Sequence, residues 1–150
     1  MIRIHVSPQP IDLLGETTKV EGGNVGAVAS FCGLVRADDG VDVLELEHYP
    51  GATEAALERI ARTATQRWSL QAATIVHRVG PMRPGERIVL VITAAPHRRD
   101  ALDACAYLID RLKTDAPFWK RETRGLEARW VEARASDTEA ASRWRADDAK

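Results

Sequence analysis

An α+β domain with mixed or antiparallel sheets and two main helices is the architecture this 150-residue sequence predicts. Three observations carry that prediction. About six short segments have the composition and alternation of strands. Only two long segments repeat apolar residues at helical spacing. Several strand segments also follow one another across short, turn-forming links, so too few helices separate them for a doubly wound parallel sheet.

Residues 2–6 open the chain as a strand, ended by Pro8. Residues 11–20 follow as a short helix, stopped by Gly22, Gly23 and Asn24. Residues 25–35, rich in small and β-branched side chains, read as a second strand. The polar link Ala37-Asp38-Asp39-Gly40 then carries an Asp-Gly hairpin signal. Residues 43–49 alternate, with Leu44, Leu46 and His48 on one face and Glu45 and Glu47 on the other.

The first long helix, residues 53–68, gathers Leu57, Ile60, Ala61, Ala64 and Trp68 into one stripe. Residues 73–79 return as a strand, broken where glycines and prolines cluster between 80 and 85. Residues 87–95 are apolar on both faces from Ile88 to Ile92, which predicts a central strand covered on both sides. The second long helix, residues 98–113, has Ala101, Leu102, Cys105, Leu108, Ile109 and Leu112 as its buried stripe. Pro117 prevents continuation and sends Phe118, Trp119 and Lys120 away as an extended segment. Residues 130–133 form a last short strand. Polar, alanine-rich residues 136–150 are expected to be a loose helix or a flexible tail.

Nothing divides the chain, so residues 1–150 are read as one domain, long enough to bury roughly 68–70% of its unfolded surface. Its 45% hydrophobic and 29% charged residues are ordinary for a globular protein. A net charge of -1 argues against a general nucleic-acid binder, and no run of about 18 apolar residues suggests a membrane span. The N-terminus lacks the form of a signal peptide, and the two cysteines lack ligand spacing, so a reduced cytoplasm is the expected location. His5, His48, His77 and His97 are scattered singly, which predicts no metal. Cys105 on its helical stripe and Cys32 in an apolar strand read as core thiols. Trp119 and Trp130 read as core or interface residues.

Against that neutral background, residues 97–122 concentrate Arg98, Arg99, Arg111, Lys113, Lys120 and Arg121, with Arg124 and Arg129 just beyond. Clustering of this kind suits anions whatever the overall charge. His97 and Arg98 stand where a strand ends and a helix begins, and free N–H groups and the helix dipole favour an anion there. They would equally serve as a solvated first turn. Lys113 and Lys120 bracket the Pro117 turn, where two close ammonium groups lower the pKa of at least one. Arg36 ends a strand at a loop rim, behind Gly33. Arg98 and Lys113, however, lie fifteen residues apart, about 22 Å along a helix. Either the two ends serve different tasks, or two copies of the chain complete one site.

The segments FCGLVR (31–36), LELEHYPGATEAAL (44–57), VHRVGPMRPGE (76–86), HRRDALDACAYLIDRLKTDAPFWKRE (97–122) and RWVEAR (129–134) resemble the MoaE family, the large subunit of molybdopterin synthase. The resemblance spans roughly residues 2–145; Ala52 and Met82-Arg83 depart from the family's usual residues. It implies a hammerhead-type α+β fold and a sulfurtransferase that converts cyclic pyranopterin monophosphate into molybdopterin. Sulfur would arrive as a C-terminal thiocarboxylate on a small ubiquitin-like partner, and the large subunits would form a homodimer within a heterotetramer, with no nucleic acid, membrane or cofactor. Arg36, His97, Arg98, Lys113 and Lys120 fall on the family's substrate-pocket positions, and Lys113 and Lys120 would be catalytic. Leu34 and Val35 adjoin them, Arg121 and Glu122 follow the second lysine, and Arg134 is a further candidate. Glu122 is expected to orient a neighbouring cation. The competing reading is a non-enzymatic anion-binding or adaptor module that docks a partner's C-terminal tail.

Overall fold

The computed structural model describes residues 1–37, 40–131, Ser142 and Trp144. Its elements run β1 (Ile2–Ser7), α1 (Leu13–Val20), β2 (Ala27–Leu34), β3 (Val43–His48), α2 (Ala52–Trp68), β4 (Ala72–Arg78), β5 (Gly80–Met82), β6 (Arg87–Ala95), α3 (Arg98–Asp115), β7 (Phe118–Arg124) and β8 (Glu127–Val131). The strands form two four-stranded sheets, ordered β1-β4-β6-β2 and β5-β3-β7-β8. Among the described strands only β1 and β4 pair in parallel, so the expected α+β class with a mixed and an antiparallel sheet is borne out.

The apolar run in β6 places it inside the first sheet, between β4 and β2, buried on both faces. Its alternation divides the core. Val89, Val91 and Ala95 pack with Leu57, Ile60, Leu108 and Leu112 of the two long helices. Leu90, Ile92 and Ala94 face the other way, toward Ile11 and Val20 beside α1. Each fully buried leucine- or isoleucine-sized side chain contributes about 1.5–3 kcal/mol, so this strand anchors the domain. Helix α1 is capped by Asp12, whose carboxylate accepts from the Gly15 N–H. It is held to β1 by buried Glu16, which pairs with Arg3 at 2.8 Å and Lys19 at 3.0 Å.

Two links differ from expectation. The Asp-Gly segment does not close a hairpin: β2 pairs with β6, whereas β3 pairs with β5 and β7 in the other sheet. Each edge of β3 is taken by a sequence-distant strand, β5 on one side and β7 on the other, and Asp38 and Asp39 lie outside the described residues. Residues 80–82 are no mere break, because Gly80 turns at φ 82° and the chain pairs with Leu46 and Leu44 as β5. Met82 is buried there.

The stripe of α3 is centred on Ala101, Ala104, Cys105, Tyr107, Leu108 and Leu112. Leu102, expected inside, is 60% exposed, because Tyr107 rather than Leu102 fills the space against α2. Trp68 meets Tyr107 edge-on at 5.3 Å. Trp144, in the region expected to be loose, lies edge-on to both rings, and its indole N–H donates to Asp110 at 2.8 Å. The remainder of the tail and the closing strand's residues 132–133 lie outside the described residues.

Candidate active site

Three elements bring cations to one cavity of about 630 Å³ between the two sheets. β2 supplies the first. Its pairing with β6 slips between Gly33 and Leu34, a bulge that turns Leu34, Val35 and Arg36 toward the opening. Gly33 is needed there, since a Cβ would stand 2.9 Å from Val89 Cγ1. The last turn of α3 contributes Lys113. β7 contributes the rest by strict alternation: Phe118, Lys120, Glu122 and Arg124 face the cavity. The register sets Lys120 beside Leu46 and Glu122 beside Leu44, so charged groups stand over an apolar floor.

The opposite face of β7 carries different business. Arg121 pairs with its cross-strand neighbour Glu45 at 2.9 Å, and its guanidinium lies 5.9 Å from the Trp130 ring. It is not part of the cavity wall. Trp119, 43% exposed, meets Tyr49 edge-on at 4.8 Å, and Trp130 is 53% exposed, so neither tryptophan is in the core of this chain. Glu122 pairs with Arg124 at 3.6 Å, the orienting contact expected of it.

At the other end of α3, His97 is the extended N-cap residue and makes no side-chain cap hydrogen bond. His97, Arg98 and Arg99 are exposed and stand apart from the cavity wall. The structure therefore unites Leu34, Val35, Arg36, Lys113, Lys120 and Glu122 and leaves His97, Arg98 and Arg121 outside. Arg134 lies outside the described residues.

His77 is a wall residue that sequence reasoning passed over. It occupies the core-facing side of β4, 5% exposed, stacked on Phe118 with ring centroids 4.0 Å apart and planes 20° apart. Its Nδ1 donates to the Arg78 carbonyl at 2.8 Å. Burial pushes its pKa down to about 4; the carbonyl bond opposes this, and the nearby Lys113, Lys120 and His48 add to it. The ring is therefore neutral near pH 7. A histidine at alternation with Ala73 and Ile75 was the available signal. Arg124 also joins the wall, whereas sequence reasoning placed it only at the fringe of the cluster.

Among the described residues, four cations, one carboxylate and a neutral imidazole over an apolar floor suit a ring-shaped organic anion, and the volume falls in the usual range for such ligands. Low-dielectric walls strengthen each charge. Cys105 is a core thiol, its pKa raised by burial to about 11, whereas Cys32 is half-buried and lines the cavity. Among the described residues, no group of His, Cys, Asp or Glu is placed to hold a metal ion. No helix among them is long and apolar enough to cross a membrane.

Comparison with known proteins agrees with this geometry. The family described as MoaE protein matches residues 6–115. The molybdopterin synthase catalytic subunit of Mesorhizobium japonicum is 49% identical over 147 residues, covering 95% of this chain and 92% of that protein. A solved structure of molybdopterin cofactor biosynthesis protein E from Burkholderia multivorans superposes with a TM-score of 0.84 at 47% identity, covering 97% of each chain. The crystal structure of molybdopterin synthase from Staphylococcus aureus gives 0.81 at 32% identity, covering 85% of this chain and 96% of that one. The chain thus belongs to the MoaE family, and with it to a class of enzymes whose curated members are named molybdopterin synthase catalytic subunits.

Proposed function

We propose that this chain is the catalytic subunit of a molybdopterin synthase, which installs two sulfurs on cyclic pyranopterin monophosphate to make the dithiolene of molybdopterin. The observation that carries the reading is the meeting of Arg36, Lys113, Lys120 and Arg124 in one cavity with apolar walls. A phosphorylated pterin needs such a combination: cations for the phosphate and a flat apolar surface for the ring. The sulfur source is the C-terminal thiocarboxylate of a small partner subunit, whose tail is also an anion. Relatives bearing the name of a subunit support an assembly.

In this reading Lys113 orients the incoming thiocarboxylate. Its sulfur attacks a side-chain carbon of the pterin, a C–S bond forms as a C–O bond breaks, and an ammonium group supplies the proton that the departing oxygen needs. Water then opens the acyl–sulfur bond and releases the partner as an ordinary carboxylate. Lys120 and Arg36 stabilise the negative charge that develops. His97 and Arg98 reach the same guest from a second copy of the chain, in a homodimer that binds one small subunit on each side. The cytoplasm, where the thiocarboxylate persists and thiols stay reduced, is the compartment this chemistry requires.

Purified protein, thiocarboxylated partner and cyclic pyranopterin monophosphate are mixed, and the pterin product is measured. Dithiolene formation that disappears on Lys113→Ala supports the enzyme. Binding of the partner's tail without any product would instead identify an adaptor.

A further inference from the structure

The turn Arg83-Pro84-Gly85-Glu86 stands behind the strand end that carries Arg36, and the mechanism above leaves it unused. Its sequence suits a type II turn, with proline second and glycine third, and Gly85 takes φ 91°. The Glu86 N–H closes it onto the Arg83 carbonyl at 3.1 Å. Its outer groups clasp the chain just past the β2 bulge. The Gly85 N–H donates to the Val35 carbonyl at 2.8 Å, and the Val35 N–H donates to the Glu86 carbonyl at 2.9 Å. The Glu86 side chain folds back over the turn, where Oε2 accepts from the Arg83 N–H and Oε1 from Arg78 Nη1 at 3.2 Å. Arg78 is buried at the end of β4, and its Nη2 donates to the Pro8 carbonyl at 3.2 Å.

We propose that Glu86 is a positioning residue for Arg36 in the reaction proposed above, on which this inference rests: its carboxylate, bonded to Arg78 and to the Arg83 N–H, locks the 83–86 turn, and the locked turn holds Val35 so that Arg36 stays at the cavity wall. Arg36 is exposed, one residue beyond Val35, and lines the cavity. A cation stabilises developing charge best when it needs no rearrangement at the moment of reaction. The ladder between β2 and β6 is irregular at Gly33/Leu34, so the two bonds of Val35 set the direction of the strand end. Gly85 brings conformational freedom into the clasp, and the carboxylate restrains it by tying the first and last residues of the turn together. Arg78 then ties the turn to β4. Its Nε is buried without a hydrogen-bond partner among the described residues, so its guanidinium depends on Glu86 and Pro8.

Two variants, one double variant and an exchange measurement test this. Glu86→Ala removes both acceptors, whereas Glu86→Gln keeps the shape and an acceptor oxygen. The expected kcat of Glu86→Ala is about tenfold lower, the scale of one lost hydrogen bond to a charged group, and Glu86→Gln restores most of it. The pterin KM stays within about twofold, because Arg36 acts on charge that develops only during reaction. In an Arg36→Ala chain, adding Glu86→Ala should cost less than about twofold in single-turnover rate, since the residue it positions is already gone. Full additivity, equal impairment of the alanine and glutamine variants, or an unchanged kcat in Glu86→Ala overturns the proposal. Amide hydrogen exchange reads the clasp without turnover. In Glu86→Ala the Val35 and Gly85 amides should exchange about tenfold faster, while the central amides of β6 keep their protection and show that the chain is folded. Val35 exchange indifferent to Glu86→Ala also overturns the proposal. Absence of product from the wild-type assembly would refute the enzymatic reading, and exchange at Val35 would still decide whether Glu86 holds the strand end.

Discussion

The two ends of α3 carry similar charges in contrasting surroundings. At the N-terminus His97, Arg98 and Arg99 are exposed to solvent, away from the cavity wall. At the C-terminus, about 22 Å away, Lys113 joins Arg36, Lys120 and Arg124 over an apolar floor. The helix dipole favours an anion at the first end and opposes one at the second. The cavity nonetheless stands at the second. Side-chain charge in a low-dielectric enclosure outweighs the roughly half-charge of a helix terminus in open water. A cationic helix end becomes a site when sheets wall it in, and here β2 and β7 build those walls.

If the exposed end serves the same guest, it must do so from a second molecule, and the largest predicted effects break or sharpen that comparison. Lys113→Ala should lower dithiolene formation by at least ~100-fold, the scale for removing one preorganised charge-stabilising group. Because Lys113 is exposed and alanine is the better helix former, melting should shift by no more than a few degrees. Arg98→Ala should fall by a comparable factor although it lies off the cavity. Mixing the two inactive variants and allowing subunits to exchange then gives a sharper reading. In a mixed dimer one of the two composite sites has both intact ends, so random exchange should return about a quarter of wild-type turnover. No recovery, with exchange verified by mass spectrometry, would mean that each chain works alone.

How much of this was legible in the sequence follows from what local patterns can encode. The long helices, the double-sided burial of β6 and the extended exit after Pro117 are local properties, and each stands where its pattern placed it. Lys113, Lys120 and Arg36 stood out as charges in a small segment or at a strand end. What was hidden depends on partners distant in sequence. The Asp-Gly link looked like a hairpin because a turn signal cannot say which strand will be hydrogen-bonded; β6 and β7 took those edges. Arg121 and Lys120 are neighbours in the chain, yet the pleat sends them to opposite faces. His77 was invisible as chemistry because its importance comes from Phe118 and two lysines that only the fold brings near.

Acid should expose the cost of burying that histidine. The folded ring takes a proton only near pH 4, the unfolded one near 6.5. Between those values the unfolded state binds more protons, so stability falls as pH falls through the window. Denaturant melts at pH 6.5 and 4.5 should show wild type losing on the order of 2–3 kcal/mol more than His77→Phe. Parallel losses in the two proteins would show that the ring titrates normally, and its place beside the lysines would need revision.

The smallest effect concerns the cation on the wrong side of the pleat. Arg121 is partly exposed and pairs with Glu45 across two strands. Pairs of this kind contribute about 0–1 kcal/mol and weaken with salt. The Arg121 Nε is also buried without a hydrogen-bond partner, a cost that Arg121→Ala removes. The two contributions oppose each other, so the variant should lose less than about 1 kcal/mol, a melting shift of about 2–4 °C at most for a chain of this size. Raising the salt should shrink the difference further. Turnover should drop much less than in Lys120→Ala, one residue earlier, because only Lys120 faces the cavity. Equal losses of turnover in the two variants would show that charge summed over the segment, rather than the face each side chain occupies, sets the chemistry.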